Sequence, residues 1–217
     1  MKFDFTYYNP TKIYFGKDAL GNLGTELKSY GDNVLLMYGK GSVKKSGLYD
    51  KVCGILRDCG KNVTELAGIK SNPSYSQLLE GARLVRENNI DLILAVGGGS
   101  VIDCAKGISV SAYCEGDPWQ KYWVDFEPVE NKIVPVGSVL TLAASGSEMS
   151  NSCVLTNEAT KEKRGITSQT NRPRISFLNP ANTFTVGKFQ TGCGIVDIMM
   201  HTLERYLTPG GESDITD

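Results

Sequence analysis

Histidine is nearly absent: His201 is the only one among 217 residues. Nucleophilic triads and dyads built on an imidazole base therefore have a single candidate to draw on. A charge excess is also lacking. Lys and Arg number 23 and Asp and Glu 24, for a net charge of −1, so nothing in the electrostatics calls for nucleic acid or an anionic membrane. No apolar run approaches the roughly 20 residues that span a bilayer. The opening stretch "MKFDFTYYNPTKIYFG" is strand-like and has no signal-peptide core. The six cysteines form no CxxC, which excludes a zinc ribbon or a thioredoxin-type motif and points to reduced, mostly buried thiols in the cytoplasm.

What is present is alternation. "TKIYFG" predicts a short strand, and "DALGNLGTELKSYG" a helix opened by Asp18 and closed near Gly31. "NVLLMYGKGS" predicts a buried strand running into a glycine turn. "KSGLYDKVCGILRDCG" places Leu48, Val52, Ile55 and Leu56 at helical spacing. A strand near Val63 to Leu66 follows, then a turn at "SNPSY" and a helix through "SQLLEGARLVRENN". "DLILAVGGGS" is a second strand feeding a glycine turn, with "VIDCAKGISVSAY" as its helix and "NKIVPVGSVL" as the next strand. Such βαβ units imply an α/β fold with a mostly parallel, Rossmann-like sheet. After Leu140 the pattern changes. "TLAASGSE" reads as a loop and helix start, "SCVLTN" and "KRGITS" as an antiparallel hairpin, and "RISFLNP" as a last strand. From Thr185 onward the pattern is helical. The expected division is an α/β domain over 1–180 and the start of an all-helical domain over 181–217.

Both glycine turns sit where a strand gives way to a helix: Gly39-Lys40-Gly41-Ser42 and Gly97-Gly98-Gly99-Ser100. Glycine there lets backbone N–H groups approach a phosphate, and the helix N-terminus adds a positive dipole. A tight strand-to-helix turn needs glycine for its own reasons, so either turn alone is ambiguous. Neither is a P-loop, and neither completes GxGxxG. A site selective for NAD usually sets an acidic side chain on the ribose 2′-OH. Here that strand end offers glycine, a hydroxyl at Ser42 and cations at Lys44 and Lys45, which suits a 2′-phosphate. The plainer reading of the two lysines is a solvated helix start.

In "TGCGIVDIMMHTLERYL", Asp197 and His201 are four apart and share one helix face. Carboxylate plus imidazole fits Fe(II) or Zn(II), and an ordinary i,i+4 hydrogen bond fits the same spacing. Cys193, one turn earlier, is either a third same-face ligand or a structural thiol.

Together these segments resemble the iron-containing (group III) alcohol dehydrogenases, in particular the NADPH-dependent branch of butanol dehydrogenase-like aldehyde reductases. The matching stretches are "NPTKIYFGKDAL", "YGKGSVKKSG", "SNPSY", "LAVGGGSVIDCAK", "PVGSVLTLAASGSEMS", "FLNP" and "TGCGIVDIMMHTLERYLT", in family order across essentially the whole chain. GGGSxxDxxK followed about a hundred residues later by GxxDxxxH is far more specific than either part.

The resemblance implies a dinucleotide-binding domain and a helical domain with substrate and metal between them. It implies that Gly97, Gly98, Gly99 and Ser100 hold the pyrophosphate and that Gly39, Lys40 and Ser42 sit at the adenosine ribose phosphate. Asn72, Asp103, Thr141, Leu142 and Lys163 would line the rest of the groove. For Asp103 an i,i+3 pairing with Lys106 is the plainer alternative, and for Thr141 a turn role. Asp197 and His201 match two metal ligands; the family's other two are histidines on later helices. The expectation is a truncated chain whose "TPGGESDITD" ends a helix at Pro209 and Gly210 and caps another that does not follow. The implied cofactors are NADP(H) and Fe2+ or Zn2+, the substrate is a primary alcohol or aldehyde, and the full-length protein would be a homodimer. A zinc polyol dehydrogenase of the glycerol dehydrogenase type is the alternative enzyme. For the chain as it stands, a non-catalytic nucleotide-binding module is the alternative from another class.

Overall fold

The computed structural model describes residues 6–207, so the helix end expected at Pro209 and Gly210 lies outside the described residues. Six parallel strands form the main sheet: β1 (Lys12–Phe15), β2 (Asn33–Tyr38), β3 (Asn62–Leu66), β4 (Leu92–Gly97), β5 (Val136–Leu140) and β8 (Ile175–Leu178). Their order across the sheet is β1-β8-β5-β4-β2-β3. β6 (Ser152–Asn157) and β7 (Glu162–Thr167) pair antiparallel as the expected hairpin.

Period-two alternation divides the core. Leu35 and Met37 of β2 and Ile93 and Ala95 of β4 face one layer, while Val34, Leu36, Leu92 and Leu94 face the other. The first layer holds α4 (Tyr75–Glu87) and α5 (Gly99–Ser111), and the second is covered by α3 (Leu48–Asp58) through Leu48, Val52 and Leu56. Central strands buried on both faces read as continuous apolar runs, as "LLMY" and "LILAV" do. Ser74 caps α4 by accepting from Gln77 N at 3.3 Å.

Three segments depart from expectation. The helix opened at Asp18 is a broken rod: a 3-10 turn (Ala19–Asn22), one α turn, α1 (Leu23–Glu26), and another 3-10 turn (Leu27–Ser29). Gly21 and Gly24 weaken it and Asp18 makes no side-chain cap, while Leu23 and Leu27 bury themselves regardless. "TLAASGSE" forms no helix; it is a loop with a turn at Gly146, whose positive φ of 67° breaks the run. The stretch before β5 carries a helical turn (Trp119–Val124) of π type that no periodicity announces, with Trp119 and Trp123 stacked at 5.9 Å.

After β8 a short 3-10 turn (Pro180–Thr183) leads to α6 (Lys188–Tyr206); α2 (Ser42–Lys45) is a single turn after β2. Among the described residues, no helix is long and apolar enough to cross a membrane.

Candidate functional site

β3 continues from β2 toward one edge of the sheet, and β5 continues from β4 toward the other, so the strand order reverses between β2 and β4. The carboxyl ends of strands at such a switch point form a crevice by construction. A groove of ≈ 620 Å³ lies there. It is lined by Gly39, Lys40 and Ser42 after β2, by Gly98, Gly99 and Ser100 after β4, and by Thr141 and Leu142 after β5. Eight of the twelve residues expected to hold a nucleotide are thus together.

Local geometry explains much of the glycine usage. Gly41 has φ +149°, a conformation L side chains rarely adopt, which turns the chain from β2 into α2. A Cβ on Gly99 would stand 2.4 Å from Ser145 Oγ, so this glycine lets the 141–147 loop close against the start of α5. Gly98 is the N-cap of α5 and has no side chain to cap it, which leaves the first N–H groups of a 13-residue helix facing the groove. Thr141 N donates to Gly97 O at 3.0 Å, so Gly97 fixes the strand ends behind the groove.

Charge in the groove is one-signed. Lys40 and Lys70 line it with the hydroxyls of Ser42, Ser46, Ser71, Ser100 and Thr141, and no Asp or Glu is among the lining residues. Lys44 is a correction. Its ammonium sits 5.0 Å from the Tyr38 ring centroid and 4.4 Å from that of Tyr49, away from the groove. Both tyrosine hydroxyls donate to Glu65. Burial alone would raise the Glu65 carboxyl, but the bonds from Tyr38 and Tyr49 outweigh it and hold the group below its ordinary value. Lys45 does not line the groove either. Lys70, beside "SNPSY", lines the groove where these lysines do not, and only the three-dimensional path of that turn reveals it.

The remaining expected residues lie to either side. Asn72, in the left-handed region at φ 55°, accepts from Lys163 Nζ at 2.8 Å, which ties the β6–β7 hairpin to the turn before α4. Asp103 lines a second cavity of ≈ 700 Å³, together with Ser145, Gly146, Ser147, Ser150, Ser152 and His201. It accepts from Ser147 Oγ at 2.5 Å and from Val154 N at 3.1 Å, and it makes no ion pair with Lys106. Lys106 is completely buried and donates to Ser150 O (3.0 Å), Ser150 Oγ (3.2 Å) and Ser152 O (3.0 Å). Burial pushes the Asp103 carboxyl up and brings the Lys106 ammonium down to about 8. The serines of this cavity were not singled out in the sequence, where "TLAASGSEMSNS" carries no periodic signal.

On α6, Asp197 Oδ1 stands 3.8 Å from His201 Nε2, with both side chains about half exposed. The donor set, one carboxylate oxygen and one imidazole nitrogen, fits a divalent transition metal as two of its ligands. Cys193 is exposed and does not complete it: among the described residues no three His, Cys, Asp or Glu side chains gather to hold a metal.

The family model for iron-containing alcohol dehydrogenase matches residues 10–180. The chain belongs to the iron-containing alcohol dehydrogenase family. It is 50% identical over 203 residues to a probable NADH-dependent butanol dehydrogenase 1 of Bacillus subtilis (strain 168), covering 94% of this chain and 52% of that one. It is 38% identical over 216 residues to the NADPH-dependent aldehyde reductase YqhD of Escherichia coli (strain K12), covering 99% and 55%. Among solved structures, NADH-dependent butanol dehydrogenase A of Thermotoga maritima superposes with a TM-score of 0.92 at 39% identity, covering 98% of this chain and 53% of that one. The chain therefore spans about half the length of the curated relatives it matches.

Proposed function

We propose that this chain binds NADP(H) and supplies two ligands, Asp197 and His201, to a divalent-metal centre of an alcohol dehydrogenase or aldehyde reductase acting on a primary alcohol or aldehyde. The observation that carries the reading is the groove at the switch point, cationic through Lys40 and Lys70 and free of lining carboxylates. Gly39, Lys40 and Ser42 would hold the ribose phosphate, and Gly98 to Ser100 the pyrophosphate at the start of α5, with Gly97 supporting them from the end of β4. Thr141, Leu142, Asn72 and Lys163 would complete the walls, with Asp103 toward the metal. The names of the relatives divide between NADH and NADPH. The choice of NADPH here rests on Gly39, where selection of NAD usually sets a carboxylate.

When bound, the nicotinamide supplies a hydride and Fe2+ or Zn2+ polarises the substrate oxygen. The protein's own part is alignment: α5 orients the nucleotide by its dipole, and α6 holds Asp197 beside His201, which lines the second cavity. Residues 181–217 belong, on this reading, to a helical domain separate from 1–180. Turnover needs more metal ligands than the described residues gather, and the working enzyme is a cytoplasmic homodimer. Calorimetric titration with NADPH, followed by an NADPH-oxidation assay with butanal, tests this. One site per chain without turnover is expected. No NADPH binding would overturn the reading, and steady turnover by this chain alone would overturn its division of labour.

A further inference from the structure

The GGGSxxDxxK stretch ends in Lys106, a residue that neither nucleotide nor metal explains. A lysine with no exposed surface is uncommon, and one without a carboxylate on its ammonium more so. All three of its acceptors belong to Ser150 and Ser152, where the loop that walls the second cavity runs into β6. One helical turn earlier, Asp103 takes hold of the same segment at Ser147 and at the Val154 amide. Thus α5 grips this stretch at Ser147, Ser150, Ser152 and Val154 with two opposite charges, beside the bonds that Ser176 of β8 donates to Glu148 O (2.6 Å) and Arg172 to Met149 O (2.6 Å), where the loop enters β6. The cavity adjoins the nucleotide groove where Gly99 meets Ser145, and it reaches His201.

We propose that Lys106 is a positioning residue: with Asp103 it fixes segment 147–154 as the wall that receives the nicotinamide end of the dinucleotide. The inference rests on the nucleotide reading above. The adenylate half lies against Lys40, Ser42 and Lys70, beyond the reach of this clamp, so the two halves of the ligand separate the effects. A methyl thioether in place of the ammonium fills similar space but makes none of the three bonds.

The test compares NADPH with 2′,5′-ADP, the fragment lacking the nicotinamide half, on the native chain and on Lys106→Met. Native protein should bind NADPH more tightly than the fragment. Lys106→Met should weaken NADPH by roughly tenfold, the loss expected when a charged hydrogen-bond set is removed, while the fragment changes by less than about twofold. Amide hydrogen exchange should quicken in 147–154 and nowhere else. If Lys106→Met does not fold, Ser150→Ala removes one acceptor of the ammonium and should shift NADPH in the same direction by less. A folded variant with unchanged NADPH affinity, or with equal losses for both ligands, overturns the positioning role. Native chain that binds neither ligand overturns the nucleotide reading instead.

Discussion

Lys106 shows how a single buried charge links structure to pH. Its ordinary value of 10.5 applies to the unfolded chain, and burial lowers it to about 8 in the folded one. Between pH 8 and 10.5 the unfolded state therefore binds more protons than the folded state, so stability rises with pH across that window. Below pH 8 both states carry the charge, and this residue contributes no slope. The buried thiols of Cys104 and Cys153, raised by burial, act in the opposite sense from about pH 9, and Tyr75 and Tyr122 above about pH 10. Urea melts at intervals from pH 7.5 to 10 should show native stability rising with pH relative to Lys106→Met; a native-minus-variant difference that stays flat would contradict the burial argument. Gly39 allows a second test at this scale. An added Cβ would meet only Ile69 O, at 3.7 Å, and no positive φ stands in the way. Gly39→Asp should therefore fold, weaken NADPH by about tenfold or more through charge repulsion, and leave NADH within about twofold. Equal effects on both nucleotides would remove Gly39 from the ribose site.

α6 is the element with the least cover. Ile195 (54%), Met199 (55%) and Leu203 (41%) remain exposed, and Phe189 at its start is 80% exposed. Apolar area of this extent on one helix favours association. Light scattering across a concentration series should show self-association that Ile195→Lys with Met199→Lys relieves; a native chain that stays monomeric at high concentration would contradict this. The elements also show where local sequence stops being informative. β2, β4, α3, α4 and α5 were legible because period two and period 3.6 coincide with burial on defined faces. The 141–151 loop was not, because its conformation is set by contacts from Lys106, Asp103 and Arg172 far away in the chain. Trp119–Val124 escaped for a related reason: its aromatic residues pack against one another and Tyr75 instead of on a repeating face. At the site, the glycine turns and the Asp197–His201 pair were readable from spacing. The seat of Lys44 on Tyr38 and Tyr49 was not, since it depends on Glu65 from the neighbouring strand.

For the whole molecule, the groove is assembled within this chain, whereas among the described residues the metal pair is not a complete site. Two ligands on one helix leave half of a four-coordinate shell to water. Zn(II) titration should give weak binding, in the range set by a bidentate pair, that His201→Ala abolishes and Cys193→Ser leaves unchanged. Tight stoichiometric binding would show that the chain completes its own coordination sphere. The central claim concerns the groove: on the proposed reading, Lys40 and Lys70, with no carboxylate among the described lining residues, suit a nucleotide carrying a 2′-phosphate. Parallel calorimetric titrations with NADPH and NADH at one fixed salt concentration test it most directly. The account predicts NADPH binding at one site per chain, about tenfold or more tighter than NADH; NADH binding as tightly as NADPH would contradict it.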